Sequence, residues 1–254
     1  MSGPLDGTAA LVTGASSGIG TATARHLADL GAAVALAARR TDRLDEVADE
    51  IRKREGRAVT LTADITDEAQ ARQAVEDTVA ELGRLDILVN NAGVMLLGPA
   101  ADAPLEEWQR MVQVNLLGLL YCSQAALPHL LAAAEDGPRR VADMVNISSV
   151  AGRVARAGSG VYNATKHGVG AFSEALRQEV TRRHVRVALV EPGATNTELS
   201  SHNRDAVRET IESRFADTER LEADDIAATI DFIVTRPRRM AVNEVLVRPT
   251  EQEG

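Results

Sequence analysis

Ala9-Ala10-Leu11-Val12-Thr13 runs directly into Gly14-Ala15-Ser16-Ser17-Gly18-Ile19-Gly20 and then into residues 21–30, which Gly31 stops. The first five residues read as a buried strand and residues 21–30 as a helix. The glycines between them permit a tight turn, close enough for a pyrophosphate to meet backbone N–H groups at the helix N-terminus. The spacing is G-x-x-x-G-x-G, one residue wider than G-x-G-x-x-G. A glycine-rich turn alone is weak evidence, but between the first strand and the first helix it reads as a phosphate turn. Gly14, Ser16, Ser17, Gly18, Ile19 and Gly20 are therefore nucleotide-binding candidates.

Working outward, short apolar runs at 33–38, 58–62, 87–90, 144–147, 185–190 and 245–247 read as further buried strands. Amphipathic stretches fill the gaps. Over 42–55, Leu44, Val47, Ala48 and Ile51 recur at helical spacing, and Thr66 can cap a helix whose first turn carries Asp67 and Glu68. Nearly continuous apolar strands alternating with helices imply an α/β fold, a doubly wound, Rossmann-type parallel sheet of seven strands in three layers. No repeat or linker divides the chain, so residues 1–254 read as a single dinucleotide-binding and catalytic domain. Ligands in such sheets lie beyond the carboxyl ends of the strands.

Composition narrows the chemistry. The chain has 254 residues, 44 % of them hydrophobic, which is enough to bury a large core. A net charge of −9, without a basic run interleaved with aromatics, argues against nucleic acid as a partner. One cysteine, Cys122, can form neither an internal disulfide nor a thiolate cage, which suits a reducing cytoplasm. His129, His167 and His184 show no metal-ligand spacing. The N-terminal residues lack the features of a signal peptide, so a cytoplasmic location is expected. The apolar stretch 116–134 is interrupted by Ser123, Gln124, Pro128 and His129 and reads as a buried helix, so no membrane association is expected.

The second strand ends Ala37-Ala38-Arg39-Arg40, where a site for NAD would place a carboxylate on the ribose. A small side chain followed by arginine leaves room for a 2′-phosphate and supplies a planar donor fork, which favours NADP(H), with Arg39 as the main ligand and Arg40 assisting. Farther on, Tyr162 and Lys166 lie four residues apart in a predicted helix, on one face. A phenol can protonate a developing alkoxide if a nearby ammonium draws its pKa down. Lys166 is one of only two lysines among 28 basic residues, so arginine would have been the compositional default there. Ser148-Ser149 ends a strand thirteen residues before Tyr162, where a hydroxyl could polarise a substrate oxygen. Asn90-Asn91-Ala92-Gly93 closes the fourth strand, where its amides could line the crevice or only satisfy the turn.

Taken together, the chain resembles the short-chain dehydrogenase/reductase family over essentially its whole length. The signatures are Thr13–Gly20, Asn90–Gly93, Asn115, Ser149 with Tyr162 and Lys166, and Pro192-Gly193. The resemblance implies a sheet ordered 3-2-1-4-5-6-7. It implies Tyr162 as acid/base, Ser149 orienting the carbonyl with Ser148 as fallback, Lys166 binding the ribose and lowering the Tyr162 pKa, and Asn115 holding a water beside Lys166. It also places Asp64 and Ile65 at the adenine, Asn91, Ala92 and Gly93 along the coenzyme, and Pro192, Gly193, Thr195 and Thr197 at the nicotinamide. Many NADP-using members carry a basic residue where this chain has Ser17, so the 2′-phosphate load falls on Arg39.

Within the family the chain looks like an NADP-preferring bacterial branch of 3-hydroxy acid dehydrogenases and clavulanate-type aldehyde reductases, the latter at work in antibiotic biosynthesis. The expected function is NADPH-dependent reduction of an aldehyde or ketone on a small or medium polar metabolite. The alternatives are NADP-dependent oxidation of a 3-hydroxy acid or similar alcohol, and a non-catalytic NADP(H)-binding regulator. Residues 197–218 are expected to form a substrate lid, and Arg153, Arg156, Arg204 or Arg208 to meet a charged substrate if one is used. Members of the family pair through the helices that begin near Pro104 and Ser159, so a homodimer or homotetramer is expected. The apolar residues Leu116, Leu119, Leu120, Leu127 and Leu130 are compatible with such pairing.

Overall fold

The structure is a computed structural model that describes residues 3–253. Its elements run β1 (Ala9–Thr13), α1 (Gly18–Asp29), β2 (Ala33–Ala38), α2 (Thr41–Lys53), β3 (Ala58–Thr62), α3 (Glu68–Leu82) and β4 (Ile87–Asn90). They continue with α4 (Leu105–Val112), α5 (Leu119–Asp136), β5 (Ala142–Ile147), α6 (Gly160–Val180), β6 (Val185–Pro192), α7 (Asp205–Arg214), α8 (Ala223–Val234) and β7 (Glu244–Val247). All neighbouring strands pair in parallel, in the order β3-β2-β1-β4-β5-β6-β7, the order that the family resemblance implies.

The period-two alternation of β1 decides which helices cover which face. Ala10 and Val12 point into a cluster with Leu27 of α1, Leu44 and Ile51 of α2 and Ile226 and Ile230 of α8. Ala9 and Leu11 point the other way, against Val75 of α3, Cys122 and Leu130 of α5 and Leu176 of α6. Both faces are dry, which is why the strands read as continuous apolar runs. Leu11, Leu27, Leu36 and Leu130 are wholly buried, and truncating a residue of that kind to alanine costs about 2–5 kcal/mol.

Several boundaries differ from the sequence reading. Strand β5 begins two residues earlier than 144, and β6 extends two residues past 190 to Pro192, pairing Glu191 and Pro192 with Leu246 and Val247 of β7. Helix α3 is capped by Asp67, whose side chain accepts from Gln70 N, and not by Thr66. Thr66 instead donates both its N–H and its hydroxyl to Asp64 Oδ1, at 3.0 and 2.8 Å.

A π-helical turn, Gln113–Gly118, joins α4 and α5 into one helix, Leu105–Asp136. By length and composition that helix could cross a membrane; here its apolar face packs on the sheet. Leu130 is buried in the sheet-facing core with Leu127 partly buried against it, and Leu119 is buried in a smaller cluster with Val169 and Leu189, against which Leu116 and Leu120 pack partly buried. Three of the five residues suggested for subunit pairing keep part of their surface open, and the other two, Leu119 and Leu130, are buried in the chain's own core. Cys122 lies inside it, and burial pushes its thiol up to about 12.

Candidate functional site

One groove crosses the carboxyl ends of the strands, where β1 and β4 lie side by side and the chain departs in opposite directions from them. The turn after β1 forms its floor. Gly14 and Gly18 have φ of +66° and +52°, values that favour glycine. A Cβ at Gly14 would lie 2.8 Å from Ala92 Cα, and one at Gly20 would lie 2.3 Å from Gly14 O, so the turn closes only with glycine at both. Asn91 Nδ2 donates to Thr13 O and Gly14 O at 3.0 and 3.3 Å, fixing β4's end to the turn. At the start of α1, Ser17 makes no side-chain capping bond, and no acidic residue stands in the first turn. The helix's leading N–H groups therefore face the groove as an anion site. That architecture fits the pyrophosphate of a dinucleotide.

At the far end of the groove, β5 and α6 bring the catalytic candidates together. Ser149 follows β5, and its hydroxyl stands close enough to the Tyr162 phenol to lower it. Ser149 Oγ also accepts from Ala151 N at 3.1 Å and donates to Pro192 O at 3.4 Å. Ser148 is spent elsewhere, donating to Lys166 O at 3.1 Å, so Ser149 is the hydroxyl presented to Tyr162. Lys166 Nζ donates to Ile147 O at 2.8 Å and lies 5.9 Å from the Tyr162 ring centre. Both side chains are buried, with 6 % and 5 % of the residue exposed.

Burial shifts both groups. It raises the Tyr162 phenol above its ordinary value, against the lowering effect of the Ser149 hydroxyl. It also lowers Lys166 to about 8. For Tyr162 the burial effect outweighs that of the Ser149 hydroxyl.

Asn115 sits in the π-helical turn, 1 % exposed, and clamps Val94 from both sides. Its Oδ1 accepts from Val94 N and its Nδ2 donates to Val94 O, each at 2.8 Å, with a further donation to Thr165 Oγ1 at 3.3 Å. The side chain thus fixes the wall of the groove beside Gly93. Asn90 faces the core instead, donating to Ser123 Oγ and Asn146 Oδ1.

The opposite end of the groove is open and ionic. Arg39 has a 63 % exposed side chain whose nearest charge is Asp64, 3.9 Å away. Arg40 folds back over the phosphate turn: Nε donates to Ser16 Oγ at 3.2 Å and Nη2 to Ser17 Oγ at 2.8 Å. The positive charge missing at position 17 is therefore delivered by the side chain of Arg40. Its Nη1 donates to Glu198 Oε2 at 3.0 Å.

Thr197 Oγ1 caps a 3₁₀ turn, Glu198–His202, which α7 follows. Asn203 Oδ1 accepts from Leu97 N at 2.7 Å, and Arg204 pairs with Glu107 at 3.2 Å, tying residues 197–208 across the groove to the segment after β4. A Cβ at Gly98 would meet Arg204 Nη2 at 2.5 Å.

The catalytic and coenzyme-binding residues that the family resemblance assigns all line this groove, apart from Gly20, which packs beneath the turn, and Asn115, which lies behind Val94. Arg153 bonds the buried Glu191 and also Glu244, and Arg208 pairs with Asp205, so with Arg204 these three cations are satisfied within the chain. Sequence reasoning placed Asn203 and Glu198 only within the expected lid, without partners, and gave no role to Asn163. Asn163 Nδ2 donates to Ala151 O and Val154 O at 2.8 and 3.0 Å, holding the loop after Ser149 on α6. Its place beside Tyr162 was visible, but a polar residue on a helix does not announce which carbonyls it will reach.

Residues 8–208 match the family described as short chain dehydrogenase. The chain is 39 % identical over 250 residues to glycine betaine reductase ATRR of Emericella nidulans, covering 98 % of this chain. It spans only 19 % of that relative's length. It is 36 % identical over 243 residues to sulfoacetaldehyde reductase 2 of Chromohalobacter salexigens, covering 95 % of this chain and 94 % of the relative. Among solved structures, the closed form of serine dehydrogenase complexed with NADP⁺ aligns at a TM-score of 0.88 and 32 % identity over 97 % of both chains.

Proposed function

Because the chain belongs to the short-chain dehydrogenase family, we propose that it is an NADP(H)-dependent reductase of an aldehyde or ketone. The observation that carries this reading is the buried Tyr162 and Lys166, with the part-buried Ser149 beside them, at one end of a groove whose other end presents Arg39. The names of two similar proteins, a betaine reductase and a sulfoacetaldehyde reductase, support the direction. A structural relative in complex with NADP⁺ supports the coenzyme.

In this reading Arg39 receives the 2′-phosphate and the N-terminus of α1 the pyrophosphate, while Asp64 and Ile65 flank the adenine. Gly93 opens space beside Lys166, whose Nζ holds the nicotinamide ribose, and Thr195 and Thr197 stand at the nicotinamide. When bound, the dinucleotide supplies the hydride. Tyr162 Oη then protonates the carbonyl oxygen, and the Lys166 ammonium, 5.9 Å from the ring centre, offsets the charge of the phenolate left behind. Ser149 Oγ orients the same oxygen. Lys166, held near its own pKa by burial, is suited to pass a proton toward Tyr162.

Tyr162 is surrounded by Val94, Leu96, Met111 and the partly buried Trp108, so the substrate's remaining atoms meet an apolar wall. Arg153, Arg204 and Arg208 are already paired, which leaves only Arg156 of the four candidate cations to meet a carboxylate and favours an uncharged flank, and with it carbonyl reduction over oxidation of a 3-hydroxy acid. Residues 197–218 act as the lid. The narrower kinship with clavulanate-type reductases is supported by the stretches Ala37-Ala38-Arg39-Arg40, Val94-Met95-Leu96-Leu97-Gly98-Pro99, Leu176-Arg177-Gln178-Glu179 and Val247-Arg248-Pro249-Thr250.

The test is fluorescence titration with NADPH and NADH, followed by a panel of uncharged, anionic and cationic aldehydes and ketones monitored by nicotinamide absorbance. Tighter NADPH binding with turnover of an uncharged carbonyl is expected. Preference for NADH would overturn the reading of Arg39, and NADPH binding with no turnover across the panel would overturn the reductase.

A further inference from the structure

Glu198 opens the 3₁₀ turn of the 197–218 segment and lines the groove together with Ser16, Ser17, Arg39 and Arg40. Its two carboxylate oxygens are divided between two arginines from a different part of the chain. Oε2 accepts from Arg40 Nη1 at 3.0 Å, and Oε1 accepts from Arg43 Nη1 at 2.9 Å. The Arg40 hydrogen bond, reinforced by Arg43, holds the Glu198 carboxyl below its ordinary range, so it is anionic at neutral pH. A guanidinium offers its donors along fixed edges. One edge of Arg40 is committed to the phosphate turn through Ser16 and Ser17 and the other to Glu198. A carboxylate is thus placed at the rim where the 2′-phosphate of NADP(H) is read.

Resting on the NADP(H) reading above, we propose that Glu198 is a coenzyme-specificity residue whose carboxylate competes with the ribose 2′-phosphate for Arg40 and Arg43. The competition is unequal. A phosphate monoester carries more charge than a carboxylate and three strong acceptor oxygens, and both ion pairs of Glu198 are exposed, with 41 % of its side chain open to solvent. Exposed pairs of this kind are individually weak. The phosphate therefore wins Arg40, and Glu198, with the first turn of the lid, must give way or remain as a like charge beside it. Either outcome weakens NADP(H) binding, and neither touches NAD(H), which has no 2′-phosphate. The same contact ties the lid to the adenosine end of the coenzyme, far from the reacting carbonyl.

The experiment compares the full-length wild type with Glu198→Gln by fluorescence titration with NADPH and NADH at low ionic strength. Adenosine 2′,5′-bisphosphate and 5′-AMP serve as competitors that lack the nicotinamide. Glutamine keeps the shape and an acceptor oxygen but removes the charge. The variant is expected to bind NADPH and the bisphosphate about three- to tenfold more tightly, the scale of one like charge removed a few ångströms from a phosphate at a solvated surface. NADH and 5′-AMP should stay within about twofold, which also shows that the variant is folded, and the NADPH gain should shrink at high salt. Weaker NADPH binding would mean that Glu198 positions the arginines for the phosphate, and would overturn the proposal. So would an equal shift, or none, for both nucleotides. A wild type that binds neither nucleotide would instead overturn the coenzyme reading beneath it.

Discussion

Tyr162, Lys166 and Asn115 are buried, the ring held by packing against Val94, Leu96 and Met111 and the other two by hydrogen bonds to Ile147 O and Val94, whereas Arg39, Arg40 and Glu198 are half exposed and held by charges. The two ends of one groove are therefore built on different physics. At the buried end every polar atom needs a partner, since leaving one unpaired costs about 1–3 kcal/mol, and geometry is correspondingly fixed. At the open end each ion pair contributes about 0–1 kcal/mol, so contacts can be exchanged for those of a ligand. A proton transfer demands the first kind of construction and the admission of a large anionic coenzyme the second.

The largest effect expected from that contrast is at Tyr162. Tyr162→Phe keeps the ring among Val94, Leu96 and Met111 and removes only the hydroxyl, so turnover should fall about 10²- to 10⁴-fold while NADPH affinity stays within about twofold. Steady-state rates alongside nucleotide titration check this. A variant that keeps its rate would place the proton donor elsewhere and erase the distinction between the two ends.

A smaller effect is expected where the lid meets the buried end. Asn203 links residues 197–208 to Leu97 through a 2.7 Å bond, and Asn203→Ala removes that link without touching Tyr162 or Ser149. KM for the carbonyl substrate should rise about fivefold, the equivalent of one hydrogen bond of about 1 kcal/mol, with kcat nearly unchanged. An unchanged KM would mean that this segment does not cover the substrate. A fall in kcat with KM preserved would make Asn203 part of the support for the catalytic residues.

What could be read in the sequence follows the same division. The strand and turn at Ala9–Gly20 were legible because apolar runs and glycines with left-handed φ have few alternatives. The residues beyond Asn90, the Tyr162–Lys166 pair and Ser149 were legible because they sit at strand ends or at helical spacing. The cap at Asp67 was missed by one residue since Thr66 and Asp67 are both good caps, and only the fold shows Thr66 turned to Asp64. That Arg39 leads and Arg40 assists was read from the sequence, but how Arg40 is held was not legible at all. It depends on Ser16, Ser17 and Glu198, the last of them 158 residues away, and an exposed arginine carries no mark of which carboxylate it will find. The same holds for Arg153 and Arg204, whose acid partners come from other elements.

The smallest expected effect tests whether ionic construction reaches behind the groove. His26 near the end of α1, the helix that carries the phosphate turn, stands between two carboxylates of α8. Its Nδ1 lies 2.7 Å from Asp231 Oδ2 and its Nε2 lies 3.1 Å from Asp224 Oδ1. Burial alone would lower the imidazole, but the hydrogen bonds and charges of Asp231 and Asp224 outweigh it and the net shift is upward. Burial raises Asp231, partly offset by His26 and reinforced by Asp29. A raised histidine stabilises the fold fully below its ordinary value of 6.5 and loses that contribution as pH climbs through the raised one. On the acid side the pair fails once Asp231 takes up its proton. His26→Gln should therefore lower thermal stability most near about pH 6 and least near about pH 9. The difference at its largest should be about 1 kcal/mol or less for a partly exposed pair, or about 2–4 °C in a chain of this size. Thermal unfolding of both proteins at the two pH values decides the matter. A deficit that does not change with pH would mean that His26 acts by packing, and would confine exchangeable charge to the rim of the groove.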